Sequence, residues 1–247
     1  MTDWTQARVV GKQQWTPRLF SLQFDADLQP FKAGQFLRVG MDIGEEQVGR
    51  PYSFINAPHE RPHEIYFNVV GEGQFSPHLA TLEPGDTFWA KQSPLGFLTL
   101  NEIPDAQQLW LLASGTGIGP FLSILKTDEV WQRFEHVVLT HSVSHATDLT
   151  YQETISYLCR THSDRLNYIP LVSRENAPNA LRGRIPANIE NGRLEQYAGH
   201  TLDPRHSHVM LCGNAGMIEA TITLLSERGM RRHRRSEAGH ISSEHYY

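Results

Sequence analysis

The stretch Leu109-Trp110-Leu111-Leu112-Ala113-Ser114-Gly115-Thr116-Gly117-Ile118-Gly119-Pro120-Phe121 limits the fold of this chain more than any other. Its unbroken apolar start suits a strand covered on both faces, as in a parallel sheet. Three alternate glycines then turn the chain. Pro120 suits the first turn of a helix, where its missing N–H costs little. A strand of this kind needs helices to cover it. The region around it therefore reads as layered α/β.

The rest of the second half agrees. Residues 137–141, 167–172 and 208–212 read as further strands, and 120–126, 151–160 and 217–227 as helices. Their alternation implies parallel strands joined by right-handed crossovers. The first hundred residues differ. Short strand candidates at 7–14, 19–24, 34–39, 51–56, 64–70 and 87–91 are separated by turn signals such as Gln29-Pro30 and Pro84-Gly85-Asp86. Their spacing suggests an antiparallel barrel or sandwich, with one helical piece at 76–82. The change of character puts a boundary near residue 102. The expected division is 1–101 and 102–247, within the size range of two domains.

Composition removes several function classes. The chain has 22 basic and 27 acidic residues among 247, a net charge of −5, which argues against nucleic-acid binding. It has no apolar run of membrane-spanning length and no signal-like start, so a cytoplasmic location is expected, with a monomer as the default. Two cysteines, Cys159 and Cys212, cannot hold a four-cysteine cluster. No metal is expected: His141 and His145, or His206 and His208, lack the pattern of a catalytic metal helix. Charge is uneven, however. Arg228, Arg231, Arg232, Arg234 and Arg235 crowd together without an acid among them. They suit either a solvated helix end or a docking surface for an acidic partner.

Two stretches carry candidate chemistry. The glycine loop can bring backbone N–H groups and a helix start against a phosphate, or it can be a plain strand–helix turn. Its place after the first strand of a parallel domain favours a ligand. Arg50-Pro51-Tyr52-Ser53 offers a guanidinium for phosphate, an aromatic face and a hydroxyl. Alone it reads more readily as an ordinary strand. Alternation also sends Tyr52 and Ser53 to opposite faces, so one ring could meet both only edge-on or through backbone atoms.

The motifs together resemble the ferredoxin–NADP+ reductase family, in its bacterial flavodoxin/ferredoxin branch. They run in order through Arg50-Pro51-Tyr52-Ser53, Gly73-Gln74-Phe75-Ser76-Pro77, the glycine loop, Val172-Ser173-Arg174-Glu175, Gly183-Arg184-Ile185-Pro186, Cys212-Gly213-Asn214 and Glu244-His245-Tyr246-Tyr247. The resemblance implies an N-terminal FAD-binding barrel and a C-terminal NADPH-binding α/β domain. It implies FAD contacts from Arg50, Pro51, Tyr52, Ser53, Tyr66, Phe67, Asn68, Gln74, Phe75, Ser76 and Thr116. Tyr246 would close the flavin face opposite Tyr52, and Tyr247 would stack on the adenine. For NADP it implies Gly115, Gly117, Val143, Ser144, Ser173, Arg174, Arg184, Cys212, Gly213 and Asn214. Arg174 and Arg184 around a 2′-phosphate favour NADPH, although Ser144 stands where close relatives carry an arginine. Ser53, Cys212, Glu244 and Tyr246 would surround the reacting atoms, with Cys212 a positioner and Glu244 a proton relay. Hydride would pass from NADPH to the flavin, and single electrons to ferredoxin or flavodoxin docked near the arginine run. Two other readings stay open: a flavin reductase or diaphorase with a small-molecule acceptor, and a flavin-binding subunit of a larger complex.

Overall fold

A computed structural model describes residues 3–44 and 46–246, with backbone alone at 46, 47 and 246. The N-terminal part contains β1 (Trp4–Gln14), β2 (Leu19–Asp25), β3 (Phe36–Ile43), β4 (Glu46–Ser53), β5 (His63–Asn68), α1 (Ser76–Thr81) and β6 (Thr87–Lys91). Its strands form one antiparallel sheet in the order β4-β3-β6-β1-β2-β5. The sheet curls until its ends meet. Phe54, just after β4, bridges Ile65 of β5, and Ile55 N donates to Glu64 O at 3.0 Å. This is a nearly closed six-stranded barrel filled by Leu22, Phe24, Leu37, Phe54 and Ile65. Closure leaves few exposed edges, which suits strands this short.

The C-terminal part contains β7 (Gln108–Ser114), α2 (Gly119–Leu125), α3 (Asp128–Arg133), β8 (His136–Val143), α4 (Gln152–Thr161), β9 (Leu166–Val172), β10 (Leu181–Arg182), α5 (Ile185–Glu190), α6 (Arg193–Ala198), β11 (Ser207–Asn214), α7 (Ala215–Glu227) and β12 (Ile241–Tyr246). These strands make a parallel sheet in the order β10-β9-β8-β7-β11-β12. The continuous apolarity of β7 has a direct cause. Leu109, Leu111 and Ala113 enter one buried layer, while Trp110 and Leu112 enter the layer on the other face. The strand order reverses between β7 and β11. The glycine loop follows β7, so it lies at the topological switch point, where ligands gather in open α/β sheets.

The barrel-plus-parallel-sheet expectation holds. Several local expectations do not. The strand expected at 51–56 is β4, which begins earlier and ends at Ser53. Helices α3, α5 and α6 and strands β10 and β12 are additions, and each spans six residues or fewer. Chain ends are ordinarily loose. This one returns instead as an edge strand paired to β11. The two halves also share a core, because Leu19, Ile55 and Tyr66 of the barrel pack into the layer that holds Leu109 and Phe121. Polar links reinforce it: Ser123 Oγ donates to Asn56 O (2.8 Å), Thr150 Oγ1 to Tyr66 Oη (2.9 Å) and Tyr151 Oη to Glu64 Oε1 (2.6 Å).

Candidate active site

A cavity of about 1340 Å³ lies between the barrel and the C-terminal return of the chain. Arg50, Pro51, Tyr52 and Ser53 all line it, and so do Tyr66, Phe67, Asn68, Gln74, Phe75, Ser76, Thr116 and Glu244. The alternation problem resolves through position. Tyr52 and Ser53 lie at the end of β4, the terminal strand in the sheet order, and both line the one space. Pro51 suits such an edge, having no N–H to offer a further strand. Tyr52 packs against Phe75 (6.0 Å between centroids, interplanar angle 26°) and edge-on to Phe67 (5.7 Å). Burial raises the Tyr52 and Tyr66 phenols above their ordinary range, so both stay neutral.

Glu244 is the titratable group of most interest here. It lies on β12 opposite Cys212 of β11. Burial pushes its carboxyl up to about 7. A carboxyl there holds and releases a proton near neutrality. Gly96 lies against it: a Cβ at residue 96 would crowd the Phe36 ring at 3.0 Å and touch Glu244 Oε2 at 3.4 Å. The Tyr246 backbone pairs with Asn214, while its side chain and Tyr247 lie outside the described residues.

The glycine loop touches both halves. Thr116 lines the cavity. A Cβ at Gly117 would meet the Cys212 carbonyl oxygen at 2.4 Å, and one at Gly119 would meet Ile55 Cδ1 at 2.7 Å. The first approach, against backbone, requires glycine, while the second is against the tip of a side chain that can move aside. Cys212 itself is fully buried among the apolar residues of one layer and does not line the cavity.

The remaining residues expected at the nucleotide gather at the carboxyl ends of the parallel strands. Ser173 N donates to Val143 O and Arg174 N to Ser144 O, both at 3.0 Å. Gly183 N donates to Val172 O at 3.0 Å, which brings Arg184 to the same edge. Arg174 and Arg184 are exposed. The neighbouring Glu175 is engaged by Ala146 N (2.7 Å) and lies 3.8 Å from His145 Nδ1.

Sequence reasoning missed part of the cavity wall: Phe36, Arg38, the 95–98 loop, Glu102, His233, Ser242 and Ser243. It left the arginine run as either a solvated helix end or a docking surface. Helix α7 ends at Glu227, so most of the run lies in the following loop and not at a helix end. Arg228 pairs with Glu195 (2.7 Å), Arg231 with Glu237 (2.7 Å), Arg232 with Glu219 (2.8 Å) and Arg235 with Glu102 (2.8 Å). Arg234 and Arg235 line the cavity. Among the described residues no three histidine, cysteine or acidic side chains group to hold a metal, and no helix is long and apolar enough to cross a membrane.

Known proteins resemble this arrangement along its whole length. The oxidoreductase FAD-binding domain model matches residues 8–99, and the oxidoreductase NAD-binding domain model matches residues 111–223. The flavodoxin/ferredoxin–NADP reductase of Shigella flexneri is 44% identical over 248 residues, covering 100% of both chains. That of Escherichia coli K12 is 43% identical with the same coverage. A solved structure of a ferredoxin NADP+ reductase from Neisseria gonorrhoeae with bound FAD and NADP superposes with a TM-score of 0.93 at 31% identity, again covering 100% of both chains. Fold, cavity and matches define a two-domain oxidoreductase that uses FAD and a nicotinamide nucleotide. Within that class, the chain belongs to the flavodoxin/ferredoxin–NADP reductase family.

Proposed function

We propose that this chain is an FAD-dependent reductase that draws hydride from NADPH and delivers electrons to ferredoxin or flavodoxin, its flavin-binding and nucleotide-binding parts dividing near residue 102. The observation that carries the reading is the single cavity into which β4, α1, the glycine loop and β12 all deliver side chains. Its donors fit FAD. Arg38 and Arg50 offer cations for a pyrophosphate, Tyr52 offers a flat face, and the volume exceeds that of a common small-ligand pocket. Bound FAD supplies the exchange between two-electron and one-electron chemistry.

The chain's own groups have distinct tasks. Tyr52, backed by Phe67 and Phe75, supports one ring face. Ser53 is buried at the end of β4 and brings a hydroxyl to the cavity. Glu244 holds a proton at its carboxyl, whose pKa is raised by burial. Cys212 positions the loop through its carbonyl beneath Gly117. Gly115, Gly117, Val143, Ser144, Gly213 and Asn214 form the nucleotide edge. Ser173, Arg174 and Arg184 receive the 2′-phosphate there, where charge-assisted bonds favour NADPH over NADH. The arginine loop faces an acidic carrier.

The test is anaerobic mixing of the purified protein with NADPH and, separately, with NADH. A yellow protein bleached preferentially by NADPH and reoxidised by ferredoxin or flavodoxin is expected. A protein unable to take up FAD, or bleached yet unable to reduce either carrier, would overturn the reading.

A further inference from the structure

Beneath the glycine loop lies a histidine that this chemistry does not use. His141 is fully buried near the end of β8, in register with Ala113 of β7 and Pro170 of β9. Its Nε2 stands 3.0 Å from the carbonyl oxygen of Gly115. Its Nδ1 is buried with no hydrogen-bond partner among the described residues. A carbonyl oxygen can only accept, so Nε2 must carry the proton and donate. Burial keeps the ring neutral, its pKa lowered to about 4. The ring is therefore the Nε2–H tautomer with a bare Nδ1. A bare buried nitrogen costs free energy that an aliphatic side chain would avoid.

What the ring does for the loop follows from peptide geometry. The bond between Gly115 and Thr116 is trans, so the Gly115 carbonyl and the Thr116 N–H share a plane and point in opposite directions. Drawing the carbonyl down towards the buried His141 turns the Thr116 N–H away from the core. Gly115 has φ 55°, a conformation that glycine adopts freely and that the histidine contact helps to fix. The other grips come from the opposite side of β7. Asn214 N donates to Ser114 Oγ at 2.9 Å, and the Cys212 carbonyl lies under Gly117. The loop is thus held by β11 on one flank and by His141 of β8 on the other.

We propose that His141 is a positioning residue for nucleotide binding: by holding the Gly115 carbonyl inward, it presents the Thr116 N–H to the ligand side of the glycine loop. The inference rests on the reading of that loop as part of the NADPH site. Two variants of nearly equal length separate donor from bulk. His141→Gln keeps an N–H near the reach of Nε2, and His141→Met removes it.

With the FAD-loaded enzyme, His141→Met is expected to raise KM for NADPH about tenfold with little change in kcat, and His141→Gln to restore most of the loss. Equal losses in both variants, or an unchanged KM in His141→Met, would overturn the proposal. Arg174→Ala, measured beside them, separates two failures. If it raises KM and His141→Met does not, the positioning role falls while the NADPH site stands. If neither raises KM, both fall. Should His141→Met not fold, nitrogen-15 NMR of His141 in the unaltered holoenzyme decides. A protonated Nε2 supports the proposal, and a protonated Nδ1 overturns it.

Discussion

The proposed flavin wall and the proposed nucleotide edge stand on either side of the glycine loop, and they are made differently. The flavin side is a cavity lined by aromatic rings, with Ser53, Tyr66, Phe67 and Phe75 buried. The nucleotide side is a row of loop ends laced together by backbone hydrogen bonds, from which Arg174 and Arg184 project into solvent. Apolar burial is permanent and insensitive to salt, whereas exposed charge is weaker and screened. The first construction suits a cofactor that stays, and the second a substrate that must leave after every turnover. Glu244 belongs to the first side by burial, although its strand belongs to the sheet.

The largest effect is expected where the two sides meet. Glu244→Gln keeps the shape of the side chain but can no longer hold and release a proton. With a raised pKa of about 7, the Glu244 carboxyl is protonated below that value and ionised above it. A step that takes its proton should therefore run at full rate in acid and slow as pH rises through about 7. The variant should lose roughly a hundredfold in kcat and lose that limb of the pH profile. A variant that is slower but keeps the same limb would assign the proton to another group.

Next in size is damage to the wall alone. Tyr52→Ala removes a ring packed against Phe67 and Phe75, and should weaken FAD binding by about 2 kcal/mol, roughly thirtyfold. FAD retained through dialysis measures it. KM for NADPH in the refilled enzyme should hardly move. If it rises in parallel, the two sides are one unit and the contrast between them is false.

That contrast also explains what the sequence made legible. The glycine loop is unusual enough in its local chemistry to be read directly, whereas Arg50 to Ser53 and the terminal glutamate became legible only through the ordered set of motifs to which they belong. Arg38, Phe36 and Leu95 reach the cavity only because the barrel curls, and Ser242 only because the chain returns as β12. Neither event leaves a local pattern. Helices α3, α5 and α6 have six residues each, less than the two turns that reveal a 3.6-residue period. In β12 only Ile241 is buried and apolar among Ile241, Ser242, Ser243 and Glu244, so alternation had little to show. His141 was weighed only as a metal ligand, because a histidine ending an apolar strand does not disclose that a loop carbonyl lies above it.

On the nucleotide edge, Arg174→Ala should raise KM for NADPH about tenfold and leave KM for NADH almost unchanged, since only NADPH brings the extra phosphate. The effect is held to that size by the exposure of the guanidinium. FAD content should stay at the level of the unaltered enzyme. Equal losses with the two nucleotides would mean that Arg174 supports the loop and does not read the phosphate.

The smallest effect is expected in the arginine loop, and its internal pairing says why. Arg228, Arg231, Arg232 and Arg235 each lie within 2.8 Å of a carboxylate oxygen of this same chain. Each such pair presents little net charge to an approaching protein. Arg234 is exposed, has no ion pair among the described residues, and lines the cavity together with His233. A carrier steered by charge should therefore feel Arg234 before the others. Arg234→Ala should slow reduction of ferredoxin or flavodoxin about threefold at low salt, with the difference shrinking as salt is added. Arg231→Ala and Arg232→Ala should do less, because neither residue lines the cavity, although each frees a carboxylate, Glu237 or Glu219, whose bare charge repels an acidic partner. If these two variants are instead slower than Arg234→Ala, the freed carboxylates outweigh the lost guanidinium. The carrier then docks across the outer face of the loop and not at the cavity.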